Sequence, residues 1–319
     1  MGQVTSTDVS EVSPQEKRAV ESFSQAQSNH LYGTFLEIPD SNVQYYLFPS
    51  TETLPQNVDL RFSACAPYPR VVNQGLLSNC SSLSVTAAFQ CVQRRNKQSP
   101  LIEPSATYNY FLARKMDSGS SFDSGTSVTS ALAAGMLGFP TEQEWPYNPS
   151  NVNREPPVEV QREALKHSVH QWDRLFPSLD NLRRCLAQGY PILASFQITK
   201  PFDQWFRNRN LQLSTDFVLT AEEFHKSDIV GAHTVLLVGY NNSKGNNQGA
   251  FFCRNSWGPE WGTEQGHFWI DYGTLLFPEL VHAFFMIKAT CSDDKGLCVS
   301  KADCMSVYEP QVCTSTNIK

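Results

Sequence analysis

Residues 80–95 constrain this chain more than any other stretch. Leu83, Ala87 and Cys91 recur at four-residue steps, and Val85, Ala88, Phe89 and Val92 fill the neighbouring stripe. Neither Pro nor Gly interrupts the pattern from Cys80 to Arg95, so it reads as one helix with a core-facing side. Ser78 or Asn79 suits the N-cap, because either side chain can accept a bond from an unpaired backbone N–H. Cys80 then sits in the first turn, at the positive end of the helix dipole, where a thiol has a lowered pKa and a larger thiolate fraction. Upstream stands Gln74, followed by Gly75, whose missing side chain permits a sharp return of the chain. An activated sulfur with a nearby amide donor for a carbonyl oxygen is what acyl transfer requires.

The chain has 319 residues, enough for one large domain or two subdomains with a substantial core. Its net charge of −6, with no basic run interleaved with aromatics, argues against a nucleic-acid partner. No apolar run has the length of a membrane span, and residues 1–30 lack the apolar segment of a secretory signal. The expectation is an intracellular, cytoplasmic protein in a reducing compartment. There, Cys65, Cys80, Cys91, Cys185 and Cys253 are expected to be mostly buried, inert thiols.

Residues 1–55 read as an N-terminal extension. Gly2, with Ser6 four residues on, fits the N-myristoylation pattern. A single acyl chain without a second signal gives only weak, reversible membrane contact. From residue 30 aromatics accumulate, and the alternation of Val43, Tyr45 and Leu47 suggests a short strand. This segment reads either as an inhibitory arm over an active-site cleft or as an arm packed on the body. Residues 104–116 and 128–137 read as further helices, the latter stopped by Gly138 and Pro140. A short helix at 179–188 precedes a change of period. Residues 192–198, 234–240, 250–254, 267–270 and 283–287 read as strands, and 241–249 as a turn. Helices first and strands later imply an α+β protein of two lobes with a cleft between them.

A cysteine nucleophile needs an imidazole to take its proton. Of seven histidines, His30, His167, His170 and His225 lie in polar surroundings and read as surface. His233 lies at the mouth of a buried strand, in Gly231-Ala232-His233-Thr234 followed by an apolar run. Such a histidine is ordinarily a packed, hydrogen-bonded core residue. The following strand ends in Asn255-Ser256-Trp257-Gly258, however, and the turn joining the two strands brings their facing ends together. Asn255 can then orient the His233 ring, and Trp257 can cover the contact.

The set Gln74, Cys80, His233, Asn255 and Trp257, in that order, resembles the papain family of cysteine peptidases. The similarity extends to Asn57-Val58-Asp59-Leu60-Arg61, which matches the start of that family's mature domain. It includes Asn73-Gln74-Gly75, Val238-Gly239-Tyr240, Trp261-Gly262, the groove loop Asp123-Ser124-Gly125-Thr126-Ser127 and Trp145-Pro146-Tyr147. It spans roughly residues 56–290. The resemblance implies the papain-like fold, a helical left lobe and a β-barrel-like right lobe around the cleft. It also implies hydrolysis of protein or peptide substrates by a monomer, without cofactor or metal. Cys80, His233, Asn255 and Gln74 would be catalytic. Gly125 and Thr126 would bind substrate backbone, Trp257 would shield the pair, and Asn79 would shape the first substrate pocket. The chain departs from the family's Cys-Gly-Ser-Cys-Trp pattern in having Leu77-Ser78-Asn79-Cys80-Ser81. Leu77 replaces a half-cystine, and the groove loop holds no Cys to pair with it. That points to a branch lacking both the secretory-type disulfide and the Trp after the nucleophile. The same thioester chemistry would also serve an acyltransferase, and a binding protein that has lost turnover would keep the fold.

The tail, residues 291–319, holds Cys291, Cys298, Cys304 and Cys313. Without a Cys-x2-Cys pair the zinc signal is weak, and disulfide staples are the favoured reading.

Overall fold

A computed structural model describes residues 32–36, 43–50, 52–117, 123–207, 218–220, 228–262 and 264–292. Gly2, His30, His225 and tail residues 293–319 lie outside these. At the centre runs helix α1, Cys80–Arg95. It is buried on all sides except at Arg94 and Arg95, polar Ser81, Ser82, Thr86 and Gln90 included, so the apolar stripe understates how far it is enclosed. Helices α2 (Ala106–Asp117) and α3 (Val128–Leu137) flank it and complete the helical lobe. Phe89 meets Phe139 just beyond α3 with ring centroids 4.7 Å apart. Each such fully buried side chain contributes about 1.5–3 kcal/mol.

The second lobe is an eight-stranded sheet. Its strands are β2 (Asn57–Asp59), β4 (His167–Arg174), β5 (Ile192–Thr199), β6 (Val218–Leu219), β7 (Ile229–Asn241), β8 (Ala250–Arg254), β9 (His267–Asp271) and β10 (Val281–Ser292). The order is β4-β10-β5-β7-β8-β9-β6, with β2 paired to β7. Strand β7 is the spine: β5 and β2 share one of its edges and β8 takes the other. Its run from Ala232 to Tyr240 is buried, and α1 packs directly on it. The sheet does not close, which corrects the barrel expectation. Strand β4 lies against α3 at one end of the order while the two-residue β6 ends the other, and the two do not pair.

Among the described residues, three short helices lie between α3 and β7: α4 (Val158–Ala164), α5 (Leu179–Ala187) and α6 (Lys200–Arg207). Two more, α7 (Lys244–Asn247) and α8 (Tyr272–Leu275), follow it, so the turn expected at 241–249 contains a helical turn. Residues 43–48 do not form the expected strand. Tyr46 makes only an isolated bridge to Leu175, and Asn181 holds the segment by accepting from the Phe48 N–H and donating to the Tyr46 carbonyl. A two-residue strand from the extension, β1 (Thr34–Phe35), pairs in parallel with β3 (Thr126–Ser127), which leads into α3.

The cysteines depart from expectation. Cys65 and Cys91 form a disulfide, because the 3-10 turn Leu60–Phe62 returns the chain onto the last turns of α1. Cys80, Cys185 and Cys253 remain free and buried. Burial pushes the Cys185 and Cys253 thiols well up, as expected of inert core thiols. Cys291, next to the last residue of β10, is itself disulfide-bonded.

Candidate active site

The site forms where the first turn of α1 meets the ends of β7 and β8. Asn79 is the N-cap residue by position but makes no side-chain cap bond. Cys80 follows in the first turn, fully buried. Across the interface Ser84 Oγ donates to the Thr234 carbonyl at 3.2 Å, joining α1 to β7 one residue past His233. Antiparallel pairing of β7 with β8 sets Leu236 opposite Arg254, so Asn255, one residue on, and His233, three residues back, come to the same end of the two strands. His233 Nε2 and Asn255 Oδ1 lie 2.9 Å apart, both residues buried. The Trp257 ring covers this contact, its centroid 5.2 Å from that of His233.

With Nε2 committed to Asn255, Nδ1 is the His233 nitrogen left to act on Cys80. It is buried, and the His233 charge is the largest of the contributions that lower the Cys80 thiol. Burial alone would raise the Cys80 thiol. The His233 charge and hydrogen-bonding ring, with help from the Thr34 hydroxyl and the Thr234 backbone, outweigh it and bring the pKa down to about 7.

Gln74 is fixed on its acceptor side. Oε1 accepts from Ser256 Oγ at 2.6 Å and from Trp257 Nε1 at 3.1 Å, and this assigns Nε2 to the opposite side. There Nε2 donates to the Leu77 carbonyl at 3.0 Å, within the loop that leads to Cys80. The Gln74 N–H donates to the Ser256 carbonyl, so this loop is stitched to the segment after Asn255.

The groove loop stands on the helical-lobe side. Asp117 accepts from Thr126 Oγ1, Ser127 Oγ and Ser130 Oγ, which pins Thr126 and Ser127 to the end of α2. Asp123 accepts from the Ser78 N–H at 3.0 and 3.2 Å and from the Tyr110 hydroxyl, and that hydroxyl accepts from the Gly125 N–H at 2.9 Å. A carboxylate and a phenol thus tie the nucleophile loop to the groove loop at the place where Leu77 replaces a half-cystine.

Of the residues singled out in the sequence, the structure gathers Cys80, His233, Asn255, Gln74 and Trp257, with Gly125 and Thr126 on the adjoining wall. Asn79 is not among them. It is fully buried and lines a separate cavity of about 250 Å³ with Arg70, Gln90 and Thr107.

Three features lie beyond the sequence reading. Thr34 from the extension sits in the site, its hydroxyl 3.1 Å from Cys80 Sγ, 3.1 Å from Ser81 Oγ and 2.7 Å from Thr234 Oγ1. The Gly33 carbonyl accepts from the Thr126 N–H at 2.8 Å, and Tyr32 packs edge-on against His233. Phe206 on α6 packs on Trp257 with centroids 5.2 Å apart. The sequence does carry a signal for α6, since Pro201 stands in its first turn and Phe202, Trp205 and Phe206 share one face.

The model of the papain family of cysteine proteases matches residues 54–277. This chain belongs to that family. A comparison with curated proteins finds no significant match. Among solved structures the fold is similar to that of xylellain, a cysteine protease from Xylella fastidiosa, at 27% identity and a TM-score of 0.69. That alignment covers 82% of this chain and 96% of the other. Procathepsin B S9 from Trypanosoma congolense shares the fold at 15% identity and a TM-score of 0.63, covering 88% of this chain and 98% of its own. Procathepsin L 3 from the larval midgut of Tenebrio molitor does so at 18% identity and a TM-score of 0.58, covering 86% and 93%. As a papain-family cysteine protease, the protein is a hydrolase of peptide bonds whose substrates are proteins or peptides.

Proposed function

We propose that Cys80 and His233 form the thiolate–imidazolium pair of a cysteine peptidase. The Cys80 thiolate attacks the carbonyl carbon of the scissile peptide bond. Gln74 Nε2 and the Cys80 backbone N–H receive the oxygen as it becomes negative. His233 then protonates the departing amine, leaving a thioester on Cys80. Water, deprotonated by His233, attacks that thioester, releasing the carboxylic acid and restoring the thiolate. Asn255 keeps the imidazole ring in register, and Trp257 excludes water from the contact between them. The observation that carries this reading is the meeting of Cys80, in the first turn of α1, with a histidine whose Nε2 is engaged by Asn255 at 2.9 Å, a neighbour that lowers the thiol's pKa.

Residues 32–36 act, in this reading, as an occluding segment of the extension. Their support is Thr34 on the nucleophile and the Gly33 carbonyl on the Thr126 N–H, the backbone donor that a substrate peptide would use.

The pair is tested by alkylating Cys80 with iodoacetamide as a function of pH. A thiol with a pKa of about 7 is protonated below that pH and ionised above it, so the rate should climb to about pH 7 and then level. Free cysteine continues to climb until about pH 8.5. His233→Ala should move the Cys80 plateau upward. A plateau at the free-cysteine value in the unsubstituted protein would remove the ion pair. Release of carboxylic-acid products from a fluorogenic peptide separates hydrolysis from acyl transfer to an amine.

Gln74→Ala is expected to lower kcat by about 10²–10³ with little effect on that alkylation profile, since it removes an oxyanion donor and leaves the ion pair. A loss below twofold would take Gln74 out of the mechanism.

A further inference from the structure

The turn that carries Gln74 is held from two sides. From the sheet lobe, the Ser256 carbonyl accepts from the Gln74 N–H at 2.8 Å. From the helical lobe comes a single phenol. Tyr147 Oη donates to the Gln74 carbonyl at 2.9 Å and accepts from the Leu76 N–H at 3.1 Å, so it bridges the two peptide groups around Gly75. Gly75 has φ +57°, and a Cβ built there would lie 2.4 Å from Tyr147 Oη. The phenol therefore occupies the space a side chain would need, which accounts for glycine at this turn by contact as well as by backbone conformation.

Tyr147 is itself anchored. Its N–H donates to Glu142 Oε1 at 2.7 Å, and the Trp145 carbonyl two residues back accepts from the buried Ser105 Oγ at 2.6 Å. Burial raises the phenol's pKa, so at neutral pH the group keeps its proton and can donate and accept together.

We propose that Tyr147 is a positioning residue for the oxyanion donor: by fixing the Gln74 carbonyl and the Leu76 N–H it sets where the Gln74 carboxamide stands relative to Cys80. The proposal rests on the oxyanion role assigned to Gln74 above. Tyr147 touches neither the nucleophile nor a substrate atom in this scheme. A small displacement of the turn is enough for it to matter, because donors act only when aimed at the developing charge.

Tyr147→Phe removes both hydrogen bonds and keeps the ring. Its kcat on a peptide amide should fall by about tenfold, the scale of one lost hydrogen bond at a preorganised site, with KM unchanged within about twofold. Affinity for a peptide aldehyde, whose hemithioacetal places an oxygen in the same donors, should fall by the same factor. The rate and pH plateau of Cys80 alkylation should not move, because they report the ion pair alone. In a Gln74→Ala background, Tyr147→Phe should add no further loss of kcat. Equal losses in alkylation and kcat, or full additivity with Gln74→Ala, would overturn the proposal in favour of general loosening. Hydrogen exchange over residues 74–77 provides a readout that does not depend on turnover. Faster exchange in Tyr147→Phe supports the latch, and unchanged exchange overturns it. Unsubstituted protein that cleaves no peptide would sink the peptidase reading instead, and the exchange measurement would still decide the latch.

Discussion

Cys80→Ala, His233→Ala and the double variant are each expected to cleave a fluorogenic peptide amide at least about 10⁴-fold more slowly than the unsubstituted protein, and by nearly equal factors. In the proposed pair, sulfur and imidazole act as one unit. Without His233 the buried thiol loses the charge that brings its pKa to about 7, and burial alone drives it up. Without Cys80 the imidazole has no nucleophile to serve. Independent contributions would multiply in the double variant, whereas members of one unit would not. The residual rate should reflect Gln74 and the Cys80 backbone N–H acting on a water-attacked carbonyl. The measurement is kcat/KM for the three proteins with near-UV circular dichroism as a check on packing. Losses that multiply in the double variant, or a Cys80→Ala protein that keeps more than a few percent of the rate, would dismantle the assignment.

Unseating residues 32–36 is expected to raise peptide turnover and Cys80 alkylation by about 10²–10³. The estimate sums a few hydrogen bonds at about 0.5–1.5 kcal/mol each and aromatic contacts of similar size, giving an occluded state favoured by about 3–4 kcal/mol. Thr34 makes three hydroxyl contacts, one of them to the sulfur, and Tyr32 packs on His233 while donating to Asp203 at 2.6 Å. The sharpest variant is Gly33→Val. A Cβ at Gly33 would stand 2.1 Å from the Ser78 carbonyl oxygen and 2.3 Å from Ser78 Cβ, a contact no side chain can make without the segment lifting. The chain need not be truncated, so the test leaves the rest of the extension in place. Initial rates on a short peptide report the gain. If Gly33→Val is no faster than the unsubstituted protein while a Thr126-directed peptide aldehyde binds both equally, the segment does not occlude the cleft.

The parts of this protein that the sequence discloses are those whose periodicity and neighbours agree. Helix α1 is uninterrupted, β7 and β8 are apolar runs flanking a turn, and the polar residues at their ends are few. The pairing of His233 with Asn255 is therefore legible in the sequence alone. Strand β4 is a different case. Its burial follows no clean alternation, and it is stabilised by a long-range pairing with β10 that no local pattern announces. Thr34 and Tyr32 were hidden for the same reason, since their partners lie 46 and 171 residues away and a two-residue strand has no period. The Cys65–Cys91 bond joins residues 26 apart, and no local pattern announces that the chain returns Cys65 onto α1. The barrel was an inference from kinship, and the open ends of the sheet correct it. Asn79 stands next to Cys80 in the chain, yet its side chain is buried and lines the cavity with Arg70, Gln90 and Thr107, which adjacency in sequence does not announce.

Asp123 and Tyr110 give the groove wall a kind of hinge pin that differs from a sulfur bridge. Here the wall is fastened by an acid group and a phenol acting on two backbone amides, Ser78 and Gly125. Thiol reagents can keep the working sulfur reduced and leave that fastening untouched, so the chemistry of the nucleophile and the integrity of its groove answer to different solution conditions.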